Sequence, residues 1–297
     1  MVGHDALFEA IDVLRGRPRE VSRLEGGLTN ENLKVTTPEG AYVVRRWTSD
    51  AALLGIDRDA EHLNSIAAAE AGVGAPVVDY RPDLGAMVVR FLEGSTWDNQ
   101  SFDRAGSPTR AGRAIRQLHE GPRFVGDFDM FARRRRYLRL IRDNGYWLPD
   151  GYSDHEDRLE QVRRALGTTA TVPCNNDLLA ANFIDDGEKL WLIDYEYSGN
   201  NDACFELGNT ATECGFSSEQ ADAYVEAYFG IPTRADLARV RLQALCSEYG
   251  WSLWGFIQAA ASPIDYDFEG WGMERYEKAV ATFRGPDLPR LLTLVAS

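Results

Sequence analysis

The stretch CNNDLLAANFIDDGEKLWLID, residues 174–194, has an aspartate and an asparagine five residues apart, followed by two short apolar runs. The runs NFIDD and KLWLID flank DGE, which is typical of a two-stranded hairpin. Such a hairpin brings Asn182 towards Asp194, and their amide and carboxylate oxygens suit Mg²⁺. Asp177 would then lie near the reacting groups as a base, or as the acceptor that orients a hydroxyl. The alternative is an aspartate cap followed by an asparagine turn, with no ligand.

The first part of the chain has the pattern of a small sheet with one long helix. Three β-like runs, EVSRLEG, ENLKVTT and AYVVRRW, are separated by GGLTN and PEG, whose turn residues predict an antiparallel meander. Residues 57–72 have the acidic start and the terminal glycine of a helix. The strand-like runs PVVDYR and GAMVVRF follow it. We therefore predict a strand-rich N-terminal lobe over residues 1–92.

Beyond residue 92 the apolar spacing changes to the period of helices. Helices are predicted near residues 108–120, 127–145 and 154–168, and over most of the chain after residue 202. We therefore predict a mainly helical C-terminal lobe over residues 93–297. The fold class that follows is α+β, with two lobes and a cleft between them.

The run RRRR, residues 133–136, lies within the second of these predicted helices. Helical spacing predicts that Tyr137, Leu140 and Ile141 face inward. The four arginines are interpreted as a solvated outer face of the helix.

The charge balance restricts the class of partner. The chain has 32 Lys and Arg residues against 46 Asp and Glu residues, a net charge of -14. Such a field repels nucleic acid and attracts a small cationic substrate. No uninterrupted apolar run approaches the length of a membrane span, and the first residues have the pattern of an amphipathic helix rather than a signal peptide. The cysteines form no C-x-x-C pair, which is typical of reduced thiols. We expect a cytoplasmic protein without membrane insertion.

The N-terminal lobe contains candidate phosphate-binding residues. The turn GGLTN could let backbone N–H groups approach phosphate oxygens, although the same residues are typical of a plain hairpin turn. Because the chain has only three lysines, the cation that binds phosphate is expected to be an arginine. Alternation along the strand puts Arg45 and Arg46 on opposite faces, so only one can face the cleft. Glu61 on the next helix would orient that arginine, the alternative being a surface ion pair of little energetic value.

Tryptophans near the C-terminus share one helix face. Trp251 and Trp254 are three residues apart in SEYGWSLWGFIQ, and Phe268 and Trp271 repeat that spacing. Such aromatic residues are usually part of a core. Aromatic faces with an acid nearby also bind quaternary ammonium groups through cation–π attraction. Both interpretations stay open at this point.

Taken in order, these segments resemble the bacterial members of the choline/ethanolamine kinase family, within the aminoglycoside phosphotransferase and protein-kinase-like superfamily. The resemblance covers nearly the whole chain. It rests on GGLTNENLKV, YVVRRW, DRDAEHL, VVRFLEG, CNNDLLAANFI, LWLIDYEYSGNNDACFELGN and WSLWGFIQ. The segment IDYEYSG with the following FELGN is the most specific of these motifs.

The resemblance implies an ATP-dependent, Mg²⁺-requiring kinase for a small cationic alcohol, choline or ethanolamine. Residues 1–92 would bind the nucleotide, and residues 93–297 would contain the catalytic loop and the acceptor pocket. Asp177 matches the catalytic aspartate, and Asn182 and Asp194 match metal ligands. The residues that match the nucleotide side are Gly26, Gly27, Thr29, Asn30, Arg45 and Glu61. Those that match the acceptor side are Glu213, Trp251, Trp254, Phe268 and Trp271.

One position departs from the family's pattern. Histidine usually stands two residues before the catalytic aspartate, where this chain has Asn175. Asparagine replaces part of the hydrogen bonding but not the packing of the ring, so a loss of precision or rate is expected. Glu196, two residues after Asp194, would assist the metal ligands. Two alternatives remain: a related kinase for thiamine, an amino sugar or an aminoglycoside, and a catalytically impaired protein that binds an amine or a nucleotide.

Overall fold

The computed structural model describes residues 3–24, 30–47 and 51–296. Its N-terminal part consists, in chain order, of α1 (His4–Ala10), β1 (Glu20–Leu24), β2 (Asn30–Thr37), β3 (Gly40–Trp47), α2 (Ala51–Leu54), α3 (Arg58–Glu70), β4 (Val77–Arg81) and β5 (Ala86–Arg90). The five strands form one antiparallel sheet in the order β1-β2-β3-β5-β4. The predicted meander and the later strand pair are confirmed.

Alternating residues of the sheet bury one face against α1. Leu33 and Val35 of β2 and Val44 of β3 pack with Leu7 and Phe8 of α1. Period-two alternation directs these side chains to one side of the sheet, while Arg45 on β3 faces the other side. The sheet thereby presents Arg45 to the cleft.

The rest of the chain is mostly helical. Its elements are β6 (Ser95–Thr96), α4 (Ser107–His119), α5 (Met130–Asn144), α6 (Glu156–Leu166), β7 (Val172–Cys174), β8 (Phe183–Asp185), β9 (Leu190–Leu192), β10 (Gly199–Asn201), α7 (Ala203–Glu213), α8 (Ser218–Phe229), α9 (Arg234–Ala261), α10 (Phe268–Arg284) and α11 (Leu288–Ala296). The α+β fold class and the three predicted helices are confirmed. The short β6, β7 and β10 were not predicted. The lobe boundary at residue 92 stays a prediction.

The long helix α9 runs through the centre of this helical part. Leu242, Tyr249, Leu253 and Ile257 are fully buried, and α9 packs against α5, α7, α10 and α11. Burial of large apolar side chains on nearly all sides makes α9 the scaffold on which the neighbouring helices dock. Among the helices that the structure describes, none combines the length and the apolar character needed to cross a membrane.

The interpretation of residues 133–136 as a solvated face is wrong for Arg134. Its side chain is only 4% exposed, forms an ion pair with Glu156, and its guanidinium lies 4.6 Å from the ring centroid of Tyr249. Four consecutive residues span three steps of about 100° around a helix, so they cannot all face solvent. Tyr137 is fully buried, as predicted.

Candidate active site

The hairpin predicted around residues 186–188 is present and brings two candidate metal ligands together. Phe183 pairs with Leu192 in antiparallel register, and Ile193 N donates to Asn182 O at 3.0 Å. Asn182 and Asp194 line the same cavity, of about 330 Å³, and Arg45 lines it from the sheet side. The pairing of these two short strands therefore places Asn182 close to Asp194, although twelve residues separate them in the sequence.

Arg45 links the sheet, the helix α3 and the end of the hairpin. Its guanidinium lies 2.5 Å from Asp194 Oδ1 and 3.4 Å from Glu61 Oε1, and the residue is 9% exposed. Burial would lower the pKa of Arg45, but the carboxylates of Asp194, Glu61 and Glu196 outweigh it and raise that pKa. Arg45 is therefore permanently charged at the mouth of the cavity.

Arg58 is a second buried arginine at the site, and sequence reasoning missed it. Its Nη1 donates to Glu61 Oε2 at 2.7 Å and to Glu196 Oε2 at 2.9 Å, and its Nη2 donates to Asn30 Oδ1 at 3.2 Å. The available signal was the spacing of three residues between Arg58 and Glu61, which share one face of α3. Glu196 lies 138 residues away, so no local pattern could have revealed that partner.

Glu196 is a buried carboxyl group within this cluster of charges. Burial, together with the neighbouring charges of Asp194 and Glu61, raises the pKa of Glu196 to about 7, although Arg58 and Arg45 act in the opposite direction. Three carboxyl groups therefore share two guanidinium groups. Such an excess of negative charge favours the arrival of a cation.

Asn175 fastens the loop that carries Asp177 to the end of the hairpin. Its Nδ2 donates to Ile193 O at 3.1 Å and to Asp194 O at 2.8 Å, while its Oδ1 accepts from Asp177 N at 3.1 Å. The side chain is fully buried. One amide thus makes three hydrogen bonds that join the segment of Asp177 to the segment of Asp194.

Asn176 adopts a left-handed backbone conformation with φ 69°. Asparagine tolerates this region better than most residues because its short side chain bonds locally. Its Nδ2 donates to Cys174 O at 3.2 Å and to Tyr197 O at 3.1 Å, and its N–H donates to Glu206 Oε2 at 3.2 Å. These hydrogen bonds hold the turn that immediately precedes Asp177.

Asp177 is half-buried among other acids. Burial raises the pKa of Asp177 well above its usual range, and the charges of Glu213, Asp194 and Glu196 add to this, while Arg275 opposes it. Asp177 therefore lies within electrostatic reach of both the hairpin end and Glu213. A carboxylate with a raised pKa is a stronger base than an exposed one.

A buried polar cluster supports the loop that carries Asp177. The Cys174 thiol lies 3.4 Å from His119 Nε2, and that nitrogen lies 3.6 Å from Glu206 Oε2. His119 Nδ1 contacts the Tyr228 hydroxyl at 2.8 Å. Because Glu206 also accepts the N–H of Asn176, this cluster fixes the loop through its backbone.

The predicted acceptor aromatics form two adjoining groups. Trp254 lies with its ring centroid 5.2 Å from that of Trp271 and 5.7 Å from that of Phe268. Trp251 instead packs against Tyr197, at 4.9 Å between centroids, and is 3% exposed. Tyr197 joins the two groups because its hydroxyl accepts from Trp254 Nε1 at 2.9 Å.

Two arginines lie among these rings. Arg133 stands 5.0 Å from the Tyr197 centroid and 5.9 Å from the Trp251 centroid. Arg275 stands 3.3 Å from the Trp271 centroid and forms an ion pair with Glu213. The sequence analysis assigned Arg133 to a solvated helix face, which its half-buried position among these rings contradicts, and it did not identify Arg275.

The residues at the hairpin end fit a hard divalent cation. Asn182 Nδ2 donates to Asp177 O at 2.8 Å. This hydrogen bond orients the Asn182 side-chain amide and leaves its Oδ1 available as a metal ligand. No hydrogen bond within the described ranges ends on that oxygen. Asp194 supplies a carboxylate beside it on the cavity wall. Two hard oxygen donors on one wall suit Mg²⁺, which keeps waters in its remaining positions.

Part of the predicted nucleotide loop lies outside the described residues. Gly26, Gly27 and Thr29 fall in this gap. Asn30, the last residue of the turn, begins β2 and is 6% exposed. Its bond to Arg58 ties the end of the loop to α3.

Residues 20–242 match the family model described as the phosphotransferase enzyme family. A choline/ethanolamine kinase family protein from Mesorhizobium loti, known from its crystal structure, is 34% identical to this chain. The similarity covers 98% of this chain and 97% of that protein, with a TM-score of 0.87. The chain belongs to the choline/ethanolamine kinase family of phosphotransferases. The family and the enzyme class expected from the sequence are thereby confirmed.

More distant relatives share most of the length of this choline/ethanolamine kinase family member. Protein LicA from Haemophilus influenzae is 27% identical over 245 residues, which are 77% of this chain and 70% of the relative. A probable ethanolamine kinase from Arabidopsis thaliana is 26% identical over 294 residues, 87% of this chain and 78% of the relative. The matches therefore extend over both the strand-rich and the helical parts of the chain.

Proposed function

We propose that the chain is an ATP-dependent kinase that transfers a phosphoryl group to the hydroxyl of a small cationic alcohol, choline or ethanolamine. One observation supports this most directly. The Asn175 amide bonds to both Asp177 N and Asp194 O, and Asp194 pairs with Arg45. On the other side, Asn176, which precedes Asp177, donates to Tyr197 O, and the Tyr197 ring packs against Trp251. A phosphate-binding side and an amine-binding side therefore meet at one carboxylate, as transfer between two substrates requires.

The chemistry follows from these positions. Asp177 accepts or orients the hydroxyl proton of the alcohol, and its raised pKa makes it a better acceptor for that proton. Arg45 neutralises charge on the phosphate oxygens during transfer. Asn175 keeps Asp177 and Asp194 in fixed relative positions through its three hydrogen bonds.

Magnesium is the metal that we propose for this site. Asn182 and Asp194 would bind it, because they offer hard oxygen ligands on one wall of the cavity. When bound, Mg²⁺ supplies neutralisation of charge on the nucleotide phosphates.

An assay of ADP release tests the proposed function. Purified protein with Mg-ATP should turn over choline or ethanolamine, and thiamine, amino sugars and aminoglycosides complete the panel of acceptors. Asp177→Asn should lower kcat at least ~100-fold with little change in nucleotide affinity, since general base catalysis contributes on that order. Failure of every acceptor with folded wild-type protein would overturn the proposal.

An impaired binding protein is less well supported than an active kinase. The departure at Asn175 motivated that alternative, but the asparagine makes three hydrogen bonds at the catalytic loop. Asp177, Asn182 and Asp194 are all present beside it. Turnover that is measurable in wild-type protein and abolished in Asp177→Asn would reject the binding protein.

A further inference from the structure

Both carboxylate oxygens of Glu213 are bound by Arg275. The Arg275 Nε donates to Glu213 Oε1 at 2.8 Å, and its Nη2 donates to Glu213 Oε2. The Glu213 side chain is only 3% exposed. A fork-to-fork pair of this kind is fixed in geometry and strong, since both partners are charged and largely removed from water.

The remaining nitrogen of Arg275 is also bonded. Its Nη1 donates to Trp271 O at 3.2 Å, and the guanidinium carbon lies 3.3 Å from the Trp271 ring centroid. The residue is 9% exposed. Arg275 therefore binds both oxygens of Glu213 and covers one face of the Trp271 ring.

This ion pair is linked to the loop that carries Asp177. Asn176, the residue before Asp177, donates from Nδ2 to the carbonyl oxygen of Tyr197 at 3.1 Å. Trp271 also contacts Trp254, whose indole nitrogen donates to the Tyr197 hydroxyl. The pair thus belongs to the acceptor side of the site rather than to the outer surface of α10.

We propose that Arg275 is a specificity-determining residue that makes the acceptor site select a quaternary ammonium group over a primary one. The inference rests on the proposed function and deepens it. A desolvated primary ammonium has three N–H donors that need acceptors, whereas both oxygens of Glu213 already accept from Arg275 in a side chain that is 3% exposed. A quaternary ammonium has no N–H donor and is recognised by aromatic faces alone.

A series of acceptors with increasing N-methylation tests this selection in the wild-type enzyme. The substrates are ethanolamine, its N-methyl and N,N-dimethyl derivatives, and choline, all of which present the same hydroxyl. We expect kcat/KM to rise along the series, by about tenfold or more from ethanolamine to choline, mainly through KM. Equal or better use of ethanolamine would overturn the inference while leaving the proposed kinase function intact.

Substitution of Arg275 tests the cause of the selection. Arg275→Met removes the fork and frees both oxygens of Glu213 to accept from a primary ammonium. The ratio of kcat/KM for choline to that for ethanolamine should then fall by about tenfold. An unchanged ratio, within about twofold, in a folded variant would overturn the role of Arg275.

Two further variants keep the test decisive if Arg275→Met folds poorly. Arg275→Lys retains the buried positive charge but cannot bind both oxygens, so the same ratio should fall in part. Arg275→Met combined with Glu213→Gln leaves no unpaired carboxylate, and the preference for choline should return.

Lys278→Met is the matched control, since Lys278 is an exposed cation on the same helix. Its ratio of kcat/KM for choline to that for ethanolamine should equal that of the wild type. Loss of all turnover of both alcohols by the wild type would instead contradict the proposed function.

Discussion

At the scale of single residues, Asn175 determines how the loop that carries Asp177 meets the end of the hairpin that carries Asp194. Its amide donates to the carbonyls of Ile193 and Asp194 and accepts from the N–H of Asp177. A histidine ring at this position would offer one donor and one acceptor in its neutral form. The asparagine therefore matches the local hydrogen-bonding groups better than the departure from the family pattern suggested.

Substitution of Asn175 should separate hydrogen bonding from packing. Asn175→Asp has almost the same shape but would point a carboxylate at two carbonyl oxygens in a fully buried position. We expect kcat to fall by at least ~10-fold and the protein to lose on the order of 1–3 kcal/mol of stability, because buried polar groups are left unsatisfied. Steady-state kinetics and thermal unfolding measure both effects.

Asn175→Ala is the comparison for that variant. It removes the same hydrogen bonds without adding charge, so its stability should lie between those of the wild type and Asn175→Asp. Wild-type kcat in Asn175→Asp would contradict the role assigned to the amide.

At the scale of elements, Arg58 connects three segments that contribute to one site. It joins the start of β2 through Asn30, the helix α3 through Glu61, and the chain after β9 through Glu196. Its side chain is 9% exposed, so water screens these interactions little. The orientation of α3 relative to the hairpin end therefore depends on Arg58 as well as on Arg45.

A double-mutant cycle tests this connection. Arg58→Gln should remove one guanidinium group from beside the buried carboxylates of Glu61 and Glu196, whereas Arg58→Gln combined with Glu196→Gln also removes one of those negative charges. The double variant should thus bind ADP no more weakly than Arg58→Gln alone, with a coupling energy of about 1 kcal/mol or more. Isothermal titration of ADP without acceptor measures it.

Arg116 and Glu120 provide the control cycle. They form an exposed pair at the C-terminal end of α4 at 2.8 Å, and exposed pairs of this type contribute little. Substitutions of Arg116 and Glu120 should have additive effects on the free energy of ADP binding, with no coupling energy between them. Additive behaviour of Arg58 and Glu196 as well would refute the connection.

At the scale of the whole molecule, the sequence predicted what depends on short-range order. The meander and the hairpin that brings Asn182 towards Asp194 follow from turn residues and strand alternation. Strand alternation left open whether Arg45 or Arg46 pairs with Glu61, and the family resemblance indicated Arg45, which the structure places 3.4 Å from Glu61. Partners far apart in sequence were missed, as Arg275 and Glu213 show, because 62 residues separate them. Arg134 was misassigned since its burial depends on how α5 packs against α9, which a charge run does not reveal.

The net charge of -14 makes the stability of the whole protein depend on pH. The effect of a single buried group is added to this background. Glu248 on α9 is 9% exposed, and burial raises its pKa although a hydrogen bond from Thr212 at 2.5 Å opposes this. A carboxyl group with a raised pKa in the folded state binds its proton more tightly there than in the unfolded state. The protonated Glu248 therefore makes its full favourable contribution to the free energy of unfolding below the ordinary pKa of glutamate. This contribution is lost as the pH rises through the pKa of Glu248 in the folded protein.

Glu248→Gln should remove this dependence. Its amide oxygen can still accept from Thr212 Oγ1, and no buried charge forms at high pH. We expect the variant to be more stable than the wild type at pH 8, by on the order of 1 kcal/mol, with the difference vanishing towards pH 4. Comparing thermal unfolding of the two proteins across this pH range cancels the repulsion between the net negative charges, which both proteins share.

Glu274→Gln is the control for this variant. A hydrogen bond from Lys278 lowers the pKa of Glu274, so its removal should destabilise the protein at pH 8. Equal stability of Glu248→Gln and wild type at pH 8 would show that Glu248 is ionised in the folded protein without penalty.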